Sequence, residues 1–432
     1  MSRVGEAGKR EAGVRSDCWI SVELRESGGI AIALKSRVAA LYGGAIEAQL
    51  RDGCRVLGVA HAALTVEDAG ALPYVLAARL EAAVRRAGHQ PTAPLLPEAR
   101  PGLKEAGDRG RLRRSRLYLP GNEPRFFPNA GLHGPDGLIL DLEDSVAPAE
   151  KDAARALVRN ALRTIDFCGA ERMVRINQGL AGLADLEWVV PHGVQLILIP
   201  KVEDPRQVVE VAERIAALSR TGEGCGEVFL MPIIESALGA WRAYEIAKAS
   251  PGVVGLAIGL EDYTADIGAQ RTNAGTESFW ARAQVLNGAR AAGVLPIDTV
   301  FSDVGDEAGL RASVLEAKSL GFTGKGCIHP RQVAVVHDAF APTADEIDKA
   351  VRIVRAYEDA EARGLGVVSL GTKMIDAPVV KRALATVELA VRMDRLDPEW
   401  RDALPAAAAK PVPGAKPVPG AKPARSDSGG GE

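Results

Sequence analysis

Along most of this chain, short apolar runs alternate with longer stretches of helical spacing. Runs at 116–119, 138–141, 173–176, 196–200, 229–234, 254–258, 296–300 and 321–328 are mostly apolar without strict alternation, as strands buried on both faces must be. Between them, 150–164, 183–189, 205–218, 237–249, 279–292 and 306–320 repeat apolar residues at helical intervals. Eight strands with intervening helices predict an α/β fold, a TIM (β/α)8 barrel. A doubly wound open sheet is the alternative, but no Gly-x-Gly-x-x-Gly follows the first strand. Ahead of the barrel, 14–89 reads as a small α/β domain. Strands are predicted at 18–24 and 30–34, flanking a hairpin turn at Ser27-Gly28-Gly29, with further strands at 55–60 and 64–66 and helices at 39–50 and 72–87.

Composition shifts set the remaining boundaries. Residues 1–13 are predicted to be disordered, and 90–112, rich in Pro, Gly and charge, to be a flexible linker. The barrel module is predicted to run over 113–398. The tail, 399–432, repeats Lys-Pro-Val-Pro-Gly-Ala in tandem and ends Ser-Asp-Ser-Gly-Gly-Gly-Glu, which predicts disorder.

The formal net charge is -3, without the basic excess expected of a nucleic-acid binder. An acidic substrate must therefore be held by local cations or a metal. The five cysteines, at 18, 54, 168, 225 and 327, form no Cys-x-x-Cys pair, which predicts a reducing, cytoplasmic setting. No apolar run reaches membrane-spanning length, and the first residues lack the apolar core of a secretory signal.

In a TIM barrel the active site lies where the strands end at their C-termini. Polar residues collect there: Asn122, Asp141 to Asp144, Arg175 to Asn177, Lys201, Glu235-Ser236, Glu261-Asp262, Asp298 and His329. Capping explains any one of them but not a whole ring. Glu235 and Asp262, at the ends of neighbouring strands, suit a hard cation such as Mg2+, with positions left for water and substrate. Arg175 offers a fork for a substrate carboxylate, or a structural pair with Glu143. Lys201 is read either as a Schiff-base amine or as electrostatic support. His329 before Pro330 reads as a structural turn, and Cys327 as a packing residue.

These motifs carry a resemblance. Leu119-Pro120-Gly121-Asn122, Leu142-Glu143-Asp144-Ser145-Val146-Ala147-Pro148, Val174-Arg175-Ile176-Asn177, Ile234-Glu235-Ser236, Gly259-Leu260-Glu261-Asp262, Cys327-Ile328-His329-Pro330 and Met374-Ile375-Asp376-Ala377-Pro378 resemble the citrate lyase β subunit, within the HpcH/HpaI aldolase/citrate lyase group. The resemblance implies a carbon–carbon lyase acting on a small-molecule acyl thioester. It implies Glu235 and Asp262 as Mg2+ ligands, Asp262 also touching substrate, Arg175 as carboxylate anchor and Glu143 at the barrel mouth. It further implies a C-terminal helical extension that reaches a neighbouring subunit of a homo-oligomer and carries Asp376 as acid/base residue. Read from the sequence alone, Asp376 is equally a helix N-cap ahead of Pro378.

Residues 14–87 resemble the citrate lyase acyl carrier protein, the γ subunit, through Ser16-Asp17, Asp68-Ala69-Gly70-Ala71-Leu72 and 76–82. That resemblance implies a 2'-(5''-phosphoribosyl)-3'-dephospho-CoA arm on Ser16, although Cys18-Trp19 departs from the usual small-residue surroundings. It also implies a separate citrate lyase α (transferase) subunit as partner. The favoured expectation is cleavage of a citryl thioester. A malyl-CoA or citramalyl-CoA lyase using free CoA, an aldolase on non-thioester keto acids, and a non-catalytic carrier scaffold are the alternatives.

Overall fold

The first strand lies inside the segment expected to be disordered. In the computed structural model, which describes residues 4–103, 105–221, 226–363, 368–370, 373–403 and 410–411, β1 (Val4–Gly8) pairs antiparallel with β2 (Cys18–Leu24). β3 (Ile30–Ser36) leads through α1 (Ala39–Val56) to β4 (Ala62–Asp68), which is followed by α2 (Pro73–Arg86). The sheet order is β1-β2-β4-β3. The expected hairpin between β2 and β3 is therefore not formed: β4 inserts between them, antiparallel to β2 and parallel to β3. Burial explains the choice. β4 buries every second residue and takes the centre, whereas no residue of β3 is buried and it takes the edge. The expected strand at 55–60 is instead the last turn of α1 and the bend after it.

The chain divides into two compact units, residues 1–337 and 338–432. In the first, eight parallel strands close a barrel: β5 (Ser115–Pro120), β6 (Gly137–Asp141), β7 (Glu171–Arg175), β8 (Leu196–Ile199), β9 (Phe229–Ile234), β10 (Gly255–Ile258), β11 (Leu295–Asp298) and β12 (Gly324–Cys327). Every residue of β6, β8, β9 and β10 is buried, the expected result of runs without alternation. The helices between them are α3 (Lys151–Thr164), α4 (Gly179–Val189), α5 (Pro205–Thr221), α6 (Ala237–Trp241), α7 (Ala243–Lys248), α8 (Leu260–Asp266), α9 (Phe279–Ala292) and α10 (Glu307–Leu320), with α11 (Arg331–Phe340) after β12. Ile139, Met173, Leu198, Met231, Ile233 and Ala257 fill the barrel interior.

The small domain is docked on the barrel rather than tethered to it. α2 is buried from Tyr74 to Val84, Arg79 and Glu81 included, because one face covers the sheet and the other packs on α3. Glu81 accepts from Arg159 of α3 at 2.8 Å, and Asn160 donates to the Tyr74 carbonyl at 3.2 Å. Asp17 and Arg79 form a buried fork at 3.0 and 2.9 Å, and Arg79 donates onward to the Asn122 carbonyl in the loop after β5. The described part of the segment expected to be a flexible linker is likewise tied down. Leu95 N–H donates to Glu81, the Arg100 N–H to the Arg163 carbonyl, Arg163 to the Pro97 carbonyl, and Arg172 to the carbonyls of Leu103 and Glu105. Pro and Gly disfavour regular structure, but arginines satisfy these carbonyls instead.

The second unit holds α12 (Ala344–Ala362), opened by a Thr343–Glu346 capping box, a hairpin of β13 (Val368–Leu370) and β14 (Lys373–Ile375), α13 (Ala377–Arg392) and α14 (Trp400–Ala403). β15 (Lys410–Pro411) pairs with β13. Ile347, Val351, Val354, Val387 and Trp400 form its core. The expected disordered tail thus contributes α14 and β15, and its remaining residues from 404 on lie outside the described residues.

Candidate active site

At the mouth, Asp141 ends β6 and Arg175 ends β7, and the two are register partners. Arg175 Nε and Nη2 each reach an Asp141 oxygen at 2.7 Å, and Nη1 reaches Glu143 at 3.0 Å. The structure therefore shows the structural pair: the Nε–Nη2 edge of Arg175 is taken by Asp141 and Nη1 meets Glu143, which leaves one N–H on each of Nη1 and Nη2. Burial alone would raise the Asp141 carboxyl, but the Arg175 fork outweighs it and holds that carboxyl below its usual range. Burial, helped by Asp144, pushes the Glu143 carboxyl up against the pull of Arg175. Gln178 also donates to Glu143, at 3.1 Å.

Glu235 directly follows β9 and is buried. Its Oε2 accepts the Lys201 backbone N–H at 2.8 Å, and a Cβ on Gly259 would stand 2.5 Å from its Oε1. That close approach accounts for glycine at the start of the Gly-Leu-Glu-Asp motif. Burial, with Asp262 and Glu143 adding to it, raises the Glu235 carboxyl to about 7. Gly121 plays the matching role after β5: its N–H donates to the Asp141 carbonyl at 2.8 Å, and a Cβ there would meet that oxygen at 2.4 Å.

Lys201, with φ at 50°, sends Nζ among Glu143 at 3.2 Å, Asp144 at 3.3 Å and Asp262 at 3.8 Å. Burial opposes its charge, but Glu143 and Asp144 outweigh burial and hold it as ammonium. A Schiff base needs the neutral amine, so the support reading is the one the geometry favours. Arg175, Glu235, Asp262, Asp141 and Asp144 line one cavity of about 450 Å³. Among the described residues, Arg175 and Lys201 partner Asp141, Asp144 and Asp262 of this lining, Arg271 partners Glu261, Arg282 and Lys325 partner Asp298, and Glu235 makes no ion pair, so hard oxygen donors remain at Glu235 and Asp262. Among the described residues, no group of three or more His, Cys, Asp or Glu forms a closed metal cage. Two carboxylates in an acidic cavity fit Mg2+, which retains water and substrate oxygens in its shell.

Other residues of the ring are structural. Asp298 is buried between Lys325 at 2.8 Å and Arg282 at 3.1 Å. Asn177 donates twice to Asp185, and Ser236 caps α6 through Gly239 N–H. His329 Nδ1 accepts the Arg331 N–H, and the buried Cys327 thiol is pushed up to about 12. Leu260 N–H, a donor at the mouth, is taken by Thr299. In the second unit, Asp376 accepts the Val379 N–H at 3.2 Å as the N-cap of α13. Ser16 is half-buried, with φ at 56°, next to the Asp17–Arg79 fork. The sequence reading passed over Arg116, which lies two residues before Tyr118 and so shares its inward face of β5.

Residues 114–330 match the family model described as HpcH/HpaI aldolase/citrate lyase, half of the chain. The chain belongs to this family. It is a lyase of the citrate lyase/HpcH/HpaI family with a second, acyl-carrier-type domain at its N-terminus, where residues 9–87 match the model described as malonate decarboxylase delta subunit. A citrate lyase subunit beta of Leuconostoc mesenteroides is 41% identical over 67% of this chain and 97% of its own length. The Escherichia coli citrate lyase subunit beta is 42% identical over 63% of this chain and 91% of its own. A human mitochondrial citramalyl-CoA lyase is 33% identical over 64% of this chain and 85% of its own. Among solved structures, CitE from Mycobacterium tuberculosis in complex with magnesium, acetoacetate and coenzyme A superposes with a TM-score of 0.56 at 31% identity, covering 66% of this chain and 99% of that one. Among the described residues no helix is long and apolar enough to cross a membrane.

Proposed function

We propose that this lyase cleaves a citryl thioester to oxaloacetate and an acetyl thioester, with Mg2+ held by Glu235 and Asp262. The observation that carries the reading is the joint lining of one acidic cavity by Glu235, Asp262 and Arg175, whose guanidinium is held in place by Asp141. Mg2+, when bound, supplies Lewis acidity toward the substrate's hydroxyl and carboxylate oxygens.

The protein's own residues do the rest. Arg175, braced by Asp141, turns its free N–H groups to a substrate carboxylate and aims the scissile bond. Lys201 gathers Glu143, Asp144 and Asp262 and prevents them from splaying. Cleavage removes the hydroxyl proton, converts the carbinol to a ketone, breaks the carbon–carbon bond and leaves its electron pair on the thioester enolate. Asp376, acting from a neighbouring subunit of a homo-oligomer, takes up that hydroxyl proton and returns it to the enolate carbon.

The small domain presents the thioester. An arm on Ser16 starts beside Asp17, whose partner Arg79 touches the loop leaving β5 at the mouth rim. A docked carrier delivers its acyl group at high effective concentration without swinging. Loading of citrate falls to a transferase subunit of the citrate lyase α type.

The decisive experiment assays citryl-, malyl- and citramalyl-thioesters with Mg2+ or EDTA, each as CoA and carrier-bound forms. The citryl thioester is expected to be cleaved fastest, with EDTA abolishing turnover. Metal-independent turnover, or a preference for malyl or citramalyl thioesters, overturns the reading.

A further inference from the structure

Below Arg175 in the same cavity lies a cation with no counter-ion among the described residues. Arg116, on β5, is 2% exposed. Its Nη1 reaches the Met231 sulfur at 3.1 Å, its Nε has no hydrogen-bond partner, and among the described residues it makes no ion pair. Met231, Ile233, Ala257 and Tyr118 surround this part of the interior with apolar surface. The nearby Asp298 does not neutralise it, because both of its oxygens are taken by Arg282 and Lys325.

A buried charge without a partner opposes folding, and an apolar side chain would sit there more comfortably. A guanidinium in that position has a purpose when an anion arrives. We infer that Arg116 is a specificity-determining residue that receives a second substrate carboxylate, distinct from the one held by Arg175. This inference rests on the proposed lyase reading and deepens it. A citryl thioester carries two free carboxylates, one on the carbinol carbon and one on a methylene arm. Malyl and citramalyl thioesters carry one. Likewise the released 2-oxo acid has two carboxylates in oxaloacetate and one in pyruvate. A floor cation therefore selects the dicarboxylate product and the acyl group that yields it.

The test compares the full-length protein with Arg116→Met, which matches the apolar surroundings, and with Arg116→Lys, which keeps the charge. Two ratios are read: kcat/KM for citryl-CoA over citramalyl-CoA, and calorimetric affinity for oxaloacetate over pyruvate in Mg2+. In Arg116→Met both ratios are expected to fall ~100-fold, the scale on which a site penalises a mismatched polar group. Arg116→Lys is expected to recover part of each. Equal losses for both substrates, or unchanged ratios, overturn the assignment. A wild-type protein that cleaves citramalyl-CoA in preference and binds pyruvate as tightly as oxaloacetate overturns it too, while leaving metal-dependent lyase chemistry standing. The oxaloacetate/pyruvate ratio needs no turnover, so it still decides the matter if no thioester is cleaved. Should Arg116→Met misfold by near-ultraviolet circular dichroism, Arg116→Gln is read in its place.

Discussion

The docking interface and the barrel mouth are both rich in charge, but they settle it differently. At the interface Asp17 faces Arg79, and Glu81 faces Arg159 and Arg85, each pair with a contact at 2.9 Å or less. At the mouth Asp141, Glu143, Asp144, Glu235 and Asp262 share Arg175 and Lys201, and Glu235 rises to about 7. Cations matched to carboxylates fix one arrangement of two domains. Carboxylates in excess leave room for an added cation. The mouth is therefore organised for a ligand, and the interface for permanence.

Removing one partner from each cluster separates these roles. Arg79→Met leaves Asp17 buried without its counter-charge, which costs about 3–5 kcal/mol of stability. The check is the urea midpoint, with Mg2+ affinity of the folded protein unchanged. An unaltered midpoint would deny that the pair holds the domain. pH adds a second signature. Burial would raise Glu81, but Arg159 and the Leu95 N–H outweigh burial and hold it low. Its contribution is complete above the unfolded carboxylate range of about 4.3 and is lost as pH falls through the lower folded value.

Glu235→Gln reverses the pattern. The amide keeps the shape but loses the negative charge, so kcat is expected to drop ~10³-fold, the upper range for one lost electrostatic element. Stability should hold or rise, because a buried carboxyl that has no ion-pair partner among the described residues has been removed. Turnover in EDTA-sensitive assays settles the first point and thermal unfolding the second. Unchanged Mg2+-dependent cleavage in Glu235→Gln would place the metal elsewhere.

The barrel was legible because burial on both faces writes itself into consecutive residues, as in Phe229-Leu230-Met231-Pro232-Ile233-Ile234. The strand order of the small domain was not, because the insertion of β4 beside β2 depends on pairs far apart in the chain, from Leu24 with Ala62 to Cys18 with Asp68. Local turn chemistry at Gly28-Gly29, both at positive φ, was real, but the strands it joins never meet. The linker misled for a related reason: arginines 163 and 172 supply its hydrogen bonds from far along the sequence. In the barrel mouth, the convergence of Glu235, Asp262 and Arg175 on one cavity was legible from their strand-end positions. Arg116 was passed over because a lone cation in an apolar run looks like a surface residue until β5 closes into the barrel. Its spacing from Tyr118 was the available signal.

Asp376 carries the smallest expected structural effect and the sharpest division of roles. As N-cap of α13 it bonds the Val379 N–H, and Pro378 sits in the first turn where no donor is lost. Asparagine caps as well as aspartate, so Asp376→Asn should leave unfolding unchanged, whereas Asp376→Ala should cost about 1 kcal/mol. Proton transfer makes no such allowance, because an amide cannot shuttle a proton at neutral pH. If Asp376 is the acid/base residue, Asp376→Asn loses ~100-fold in kcat with its stability intact, the lower end of the range for general acid–base catalysis. If it is a cap and nothing more, Asp376→Asn is as active as wild type, and Asp376→Ala loses activity only in step with its folded fraction. A mixture of two inactive variants, one of them Asp376→Asn, adds the subunit question. With Glu235→Gln chains as partners, activity should reappear, since each kind then supplies what the other lacks. No recovery in that mixture means that both residues must come from one chain.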